Sequence, residues 1–298
     1  MLLKNEYFII MNKFSELVKI GTCSWKYPSW KGIVYSNGVG SNYLSEYAKH
    51  YNTVEIDQWF WSLFAGNKVV LPKPEVVSNY IASVPSHFQF SVKVPNAITL
   101  THHYSRNKNI PLVKNPFFLS NDVFFEFLKL LHPMKDYLGA FIFQFEYLNK
   151  QKMQSQTTFQ EIFSTFIEKC PPSYNYCLET RNPNYLNEEY FHFLKSVNLS
   201  HVFLQGYYMP SIFDLYEKYH DLIERFSLIR LIGTDRKGIE KKSQGIWNQL
   251  WEPKDEELDR LEIIIDDLLS KEVRLIINVN NHYEGSAPLT IERLINHF

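Results

Sequence analysis

A (β/α)8 barrel is the fold class that this 298-residue sequence predicts, on two observations. Strand-like and helix-like stretches alternate through eight rounds, and their combined length suits one closed barrel. The strand candidates also share a habit, with apolar residues on one parity and charged or amide residues on the other. In a barrel the outward parity packs under helices while the inward parity fills the lumen. No Gly-x-Gly-x-x-Gly follows the first strand candidate, which removes the main argument for a dinucleotide-binding open sheet.

The strand candidates, each short and rich in β-branched or aromatic residues, are 19–24, 53–57, 88–94, 139–145, 174–180, 201–206, 227–232 and 273–280. Helical patterns occupy 41–51, 74–83, 121–131, 157–169, 187–196, 211–224, 255–271 and 289–297. The clearest is 255–271, where Leu258, Leu261, Ile265, Leu268 and Leu269 form one apolar stripe. Ser120-Asn121-Asp122 and Asn187-Glu188-Glu189 read as helix starts, because a short polar side chain there can accept an otherwise unpaired backbone N–H. No Pro-, Gly- or Ser-rich linker divides the chain, so a single barrel domain is expected over 19–298, behind an N-terminal extension 1–18 in which Met11 is an alternative start. The longest irregular stretch, 96–120, follows the third strand candidate and reads as a lid or binding element.

Composition excludes several classes. Hydrophobic residues make up 45% of the chain, so it is globular, and a formal net charge of -1 provides no basic field for nonspecific nucleic-acid binding. Cys23, Cys170 and Cys177 are odd in number and lack metal-ligand spacing, which fits free thiols in a reducing cytoplasm. No run of about 18 apolar residues is present, so no membrane span is expected.

The parity rule populates the lumen with polar groups. The second strand candidate turns Thr53, Glu55 and Asp57 inward, and the third turns Gln89, Ser91 and Lys93 inward. Gln144, Glu179, Arg181, Arg230, Asn278 and Asn280 follow from the later strands, most of them near carboxyl ends, where barrel enzymes assemble their sites. Shared parity predicts that Lys93, Gln144, Glu179, Arg181 and Arg230 converge on one cavity. Glu55 and Glu179, with Lys93, are the catalytic candidates, as general acid, general base and charge stabiliser. Trp25, Asp57, Gln144, Arg181, Arg230, Asn278, Asn280, Asn281 and His282 are the ligand-binding candidates. The competing reading is a salt-bridge plug, although branched aliphatics would serve stability as well, since buried charges are costly even when paired.

Other features carry weaker chemistry. The stretch after the seventh strand candidate, Gly233 to Lys242, sets Arg236, Lys237, Lys241 and Lys242 against Asp235 and Glu240, and reads either as a phosphate-binding loop or as a solvated charged loop. Cys23 ends the first strand candidate, with no assignable base. His102, His103 and His282 could join Glu55 or Glu179 as metal ligands, but no His-Glu-x-x-His spacing supports this. No metal site is therefore assigned and the sequence requires no cofactor, with a divalent metal as the alternative. Trp25, Tyr27, Trp30, Tyr35, Trp59 and Trp61 crowd the first two strand ends, where aromatics serve packing or stack on a ring-bearing ligand.

The chain resembles the YecE-like proteins, catalogued as domain of unknown function 72. The resemblance rests on Gly21-Thr-Cys-Ser-Trp25-Lys-Tyr27-Pro-Ser-Trp30-Lys-Gly32-Ile-Val-Tyr35, Thr53-Val-Glu55-Ile-Asp57, and Phe88 to Pro95 with Ile98-Thr99. It continues through Phe143-Gln144, Glu179-Thr-Arg181, Arg230-Leu-Ile-Gly233, and Asn280-Asn281-His-Tyr-Glu-Gly285-Ser-Ala287-Pro288. It implies a TIM-barrel fold, distantly similar in architecture to xylose isomerase and endonuclease IV, and no settled activity. Asp57 stands where Asn is usual in the family, Cys23 replaces a small residue, and Ser36 follows Tyr35 where Pro is usual.

The expected function is that of a cytoplasmic barrel enzyme, a hydrolase or isomerase, acting on a small polar, phosphorylated or sugar-like ligand in a charged, anion-binding pocket. The ligand would be an anionic or polyhydroxylated small molecule. One alternative is a metal-dependent phosphodiesterase or nuclease, against which the near-neutral charge weighs. The other is a non-catalytic protein that uses the same pocket for binding.

Overall fold

In the computed structural model of the chain, residues 17–36, 42–105 and 111–298 are described, so residues 1–16 of the expected extension lie outside the described residues. Eight strands close a parallel barrel in the order β1 (Val18–Thr22), β10 (Arg274–Val279), β9 (Phe226–Gly233), β8 (Ser200–Gly206), β7 (Tyr176–Glu179), β6 (Leu138–Gln144), β5 (Gln89–Lys93) and β2 (Thr53–Ile56). All eight strand candidates are present, with ends shifted by no more than a few residues. The remaining strands, β3 (Leu63–Phe64) and β4 (Lys68–Val69), form a small antiparallel hairpin that their length hides from any periodicity argument.

The helices are α1 (Tyr43–Tyr47), α2 (Pro74–Ala82), α3 (Asn96–Thr99), α4 (Asn121–Leu131), α5 (Gln156–Ile167), α6 (Glu188–Ser196), α7 (Ile212–Tyr219), α8 (Arg236–Ser243), α9 (Asp255–Ser270) and α10 (Ala287–Ile295). Both sequence-read starts are real caps. The Ser120 hydroxyl accepts the Val123 N–H at 3.3 Å, and the Asn187 side chain accepts the Tyr190 N–H at 3.0 Å. On α9 the buried stripe is Leu258, Leu261, Ile264, Ile265 and Leu268, so Ile264 replaces the expected Leu269, which sits half-buried at its edge.

The chain forms two compact units, one of residues up to Glu55 with Ser83–Gln89 and Val202–Phe298, the other of Ile56–Ala82 with Phe90–His201. In the first, β1 runs parallel to β10 and β10 to β9, which sets Gly21 beside Asn278 and Asn278 beside Arg230 in one row. Gly21 permits a close approach, because a Cβ there would fall 1.9 Å from the Thr53 carbonyl oxygen of the adjacent strand β2. Gly233 ends β9 with φ of 86°, where a Cβ would meet the His282 carbonyl at 2.3 Å.

In the second unit the outward parity of β6 is aromatic, as the alternation predicts. Phe141 and Phe143 meet Phe124 of α4 with ring centroids 5.9 and 5.4 Å apart, and Phe143 meets Phe163 of α5 at 5.4 Å. Part of the 96–120 stretch is tied down rather than loose. It opens with α3, and the Asn115 amide donates to the Ala97 and Leu100 carbonyls at 2.7 and 2.6 Å. Its residues 106–110 lie outside the described residues.

Candidate functional site

The first unit carries one fully formed charged cluster. Glu55 projects from the carboxyl-terminal half of β2 and is wholly buried, and Arg230 projects from β9 with 5% exposure. The Arg230 guanidinium donates twice in fork geometry, Nε to Glu55 Oε2 and Nη2 to Oε1, both at 2.8 Å. Asn278 of β10, also fully buried, turns its Nδ2 toward Glu55 Oε2 at 3.4 Å, a distance at which the interaction is weak. Three strands thus deliver one carboxylate, one guanidinium and one amide to a single point. Carboxylate, guanidinium and amide are the kinds of group that exchange protons and orient anionic or hydroxyl groups.

In the second unit, Gln144 and Glu179 are register neighbours on β6 and β7, and Arg181 follows two residues after Glu179. Arg181 Nη2 lies 2.6 Å from the buried Glu179 carboxylate and 3.4 Å from Gln144 Oε1. Behind β7, the Tyr190 hydroxyl and His201 Nδ1 are 3.0 Å apart. Burial drives the His201 imidazole down to about 3, against an opposing pull from Glu179. The same burial, reinforced by the negative charge of Glu179, raises the Tyr190 phenol. Lys93, at the end of β5, is buried with its ammonium 4.2 Å from the centre of the Phe60 ring.

Asp57 falls one residue beyond the end of β2 and is half-buried rather than part of the strand's inward row. Its charge helps raise the Tyr80 phenol of α2, an effect dominated by burial and opposed by the Gln58 hydrogen bond. Trp25 is buried as core, and its carbonyl accepts the Tyr35 hydroxyl. Burial of the whole residue is what the packing reading of Trp25 expects. Cys23 is buried with Sγ 3.7 Å from the Asn278 carbonyl.

The loop after β10 is built from its own amides. Asn280 Oδ1 accepts the His282 backbone N–H at 3.0 Å and faces His282 Nδ1 at 2.5 Å. Asn281 Oδ1 accepts the Ala287 N–H at 2.8 Å, capping α10 from outside the helix. His282 Nε2 meets Glu240 at 3.0 Å. Burial pulls the imidazole below its ordinary value, while the Glu240 hydrogen bond works the other way.

From Arg236 on, the charged stretch after β9 is helical, which corrects its reading as a loop. It is helix α8, whose N-terminus is already occupied by the Asp235 side chain accepting the Gly238 N–H at 2.9 Å. Arg236 pairs with Glu240 at 2.8 Å and Lys242 with Glu252 at 2.6 Å, so two of its four cations have acidic partners. The histidines of the 96–120 stretch likewise have other neighbours. His102 Nδ1 meets the Thr101 hydroxyl at 2.9 Å, and His103 Nε2 meets Asn67 Oδ1 at 2.8 Å. Among the described residues, no three or more His, Cys, Asp or Glu side chains are grouped to hold a metal ion. No described helix is long and apolar enough to cross a membrane.

One residue that the parity argument did not single out is Glu284, fully buried beyond β10. Burial raises its carboxyl group, which accepts the Lys254 N–H at 2.6 Å and pairs with Arg293. Its only signal in the sequence is an acidic residue inside an otherwise amide-rich loop.

Comparison with known proteins agrees with this architecture. The protein YecE of Escherichia coli K12, assigned to the uncharacterised group UPF0759, is 25% identical over 173 residues, covering 57% of this chain and 50% of YecE. The chain thus spans about half the length of the curated relatives it matches. A DUF72 family protein of Enterococcus faecalis V583 superposes with a TM-score of 0.63 at 17% identity, covering 94% of this chain and 96% of its own. Another from Thermotoga maritima MSB8 gives 0.61 at 17% identity, covering 94% and 100%. At that identity the likeness carries the fold alone. The family model for DUF72, described as a protein of unknown function, matches residues 19–298, and the chain belongs to that family.

Proposed function

We propose that the protein is an enzyme whose carboxyl-terminal barrel face takes a small polar, phosphorylated or sugar-like ligand. The observation that carries this reading is the fully buried Glu55 carboxylate held by two guanidinium bonds from β9, with the Asn278 amide of β10 at 3.4 Å. Withdrawing an ion pair from water costs several kcal/mol per ion, and aliphatic side chains in its place are often neutral or stabilising. A buried pair whose carboxylate stands one residue from the carboxyl end of β2 is better explained by the ligand it serves. Glu55 is the acid/base candidate of the first unit, with Arg230 and Asn278 orienting anionic or hydroxyl groups. In the second unit Glu179 is the corresponding carboxylate, with Lys93 and Arg181 as its cations and Gln144 as a further polar contact. Hydrolysis and isomerisation both suit a carboxylate beside a fixed cation.

The test is a thermal-shift screen against sugar phosphates, polyols and small carboxylates, since a ligand that binds only the native state raises its melting temperature. A subset should raise the wild-type midpoint and leave Glu55→Gln and Glu179→Gln unmoved, with both variants folded by circular dichroism. A panel that shifts nothing, or shifts variants and wild type alike, removes the reading.

A further inference from the structure

A recess opens between the carboxyl ends of β1 and β10, beside the first turn of α10, and is lined by Thr22, Trp30, Asn280, Asn281 and Ala287 among others. Two of these side chains are buried donors with no acceptor. Trp30, fully buried, has an indole Nε1–H without a partner, and Asn281, 2% exposed, has an amide Nδ2 without one. The Asn281 amide cannot simply be turned over, because its Oδ1 is held by the Ala287 N–H at 2.8 Å and the reversed amide would set donor against donor. An indole N–H offers no accepting lone pair, so both groups call for the same thing, an acceptor atom. A buried donor left unmade costs roughly 1–3 kcal/mol, and here two such donors line one recess. Two other polar atoms of the wall are engaged. The Thr22 hydroxyl donates to the Ser24 carbonyl at 2.7 Å, and Asn280 Oδ1 serves His282.

We infer that this recess is a subsite for an oxyanion oxygen of the ligand, phosphoryl or carboxylate, received by Trp30 Nε1–H and Asn281 Nδ2–H. The recess encloses about 110 Å3 of empty space, its open mouth included, and is tight. It is too narrow for a free water molecule as it stands, so a projecting oxygen atom reaches the two donors only with a shift of its walls. The inference rests on the proposal that the barrel face takes an anionic ligand, and it names the residues that would receive the anionic group.

The experiment follows the Trp30 indole N–H resonance in isotope-labelled full-length protein. Trp30→Phe assigns it by disappearance or, where that variant does not fold, its cross-relaxation to the Tyr27 and Tyr35 rings does. Inorganic phosphate and acetate are titrated separately at constant ionic strength, with sodium chloride as the control. A saturable downfield movement with phosphate assigns a phosphoryl oxygen, and one with acetate a carboxylate. Asn281→Asp keeps an oxygen for the Ala287 N–H but replaces the donor with a negative charge, so the apparent affinity should fall about ten- to a hundredfold. The subsite is overturned by a resonance that neither anion moves, by one that chloride moves equally, or by an unchanged titration in Asn281→Asp. A silent ligand screen with a moving Trp30 resonance refutes the enzyme reading alone, whereas a hit in the screen with a motionless resonance refutes the subsite alone.

Discussion

The Glu55–Arg230 pair allows a sharp test of what the buried charges contribute to stability. Both side chains are essentially out of solvent, and their two bonds are 2.8 Å each. Arg230→Met would leave the carboxylate without its bidentate partner, with the Asn278 amide at 3.4 Å too distant to replace it. Breaking a buried pair from one side costs about 3–5 kcal/mol, and Glu55→Leu, which strands the guanidinium instead, should cost a similar amount. The double variant Glu55→Leu/Arg230→Met removes both charges together and should fall within about 1 kcal/mol of the wild type, or exceed it. The coupling expected from the cycle is therefore about 3 kcal/mol or more, well beyond the roughly 0.3–0.5 kcal/mol scatter of independent sites. Guanidinium chloride melts of the four proteins, analysed with a common slope, supply the numbers. Additive single-variant costs would refute the claim that the two charges exist in the fold for one another.

Two further predictions concern the barrel wall. His201 is held neutral by burial, with its value near 3 against about 6.5 in an unfolded chain, so the unfolded state alone binds the proton between those limits. Stability is then complete above about pH 6.5 and falls with acid, by about 2 kcal/mol between pH 7 and pH 5. Urea melts at those two values should show that loss in the wild type and a flatter profile in His201→Gln, and identical pH dependence in both proteins would count against it. Gly21→Ala would drive a methyl group to 1.9 Å from the Thr53 carbonyl oxygen and should lower stability by about 3 kcal/mol or more, read from its denaturation midpoint. A variant as stable as wild type would show that β1 and β2 separate without penalty.

The strands were legible because two adjacent physical layers impose a strict period on them. Phe141 and Phe143 must meet the aromatic faces of α4 and α5, so Gln144 is left to the other side. Helix α8 escaped notice for the converse reason. Ile239 and Ser243 are its only buried residues, which is too few for a stripe, and the segment reads as charged loop. The boundary error at Asp57 has a local cause, since the chain turns there with the Phe60 N–H donating to the Asp57 carbonyl at 3.0 Å. At the site, parity identified Glu55, Arg230 and Asn278 as inward residues but not as partners. Partnership depends on register, and a period of two leaves register undefined until strands are paired. The orphan donors of Trp30 and Asn281 were beyond the reach of any pattern, because whether a donor is satisfied depends on atoms far apart in sequence.

Two buried carboxylates in the first unit show why the polar lumen calls for a functional explanation. Glu284 and Glu55 are both wholly inaccessible. Glu284 accepts a backbone N–H at the entry to α9 and pairs with Arg293 of α10, so it joins helix ends that no strand ladder fixes. Removing it would take the acceptor from the Lys254 N–H and leave Arg293 with its Asp255 pair, so architecture accounts for its burial. Glu55 differs in what it connects. Its guanidinium and amide partners stand on β9 and β10, which their own backbone ladder already holds in register with each other and with β1. The charge therefore positions side chains and not the backbone that bears them. An ion pair that costs desolvation and orients a guanidinium on a strand whose own ladder already holds it in register is what pre-organisation of a binding site requires. That asymmetry, more than the presence of charge, is the ground for proposing a functional role for Glu55 and a structural one for Glu284.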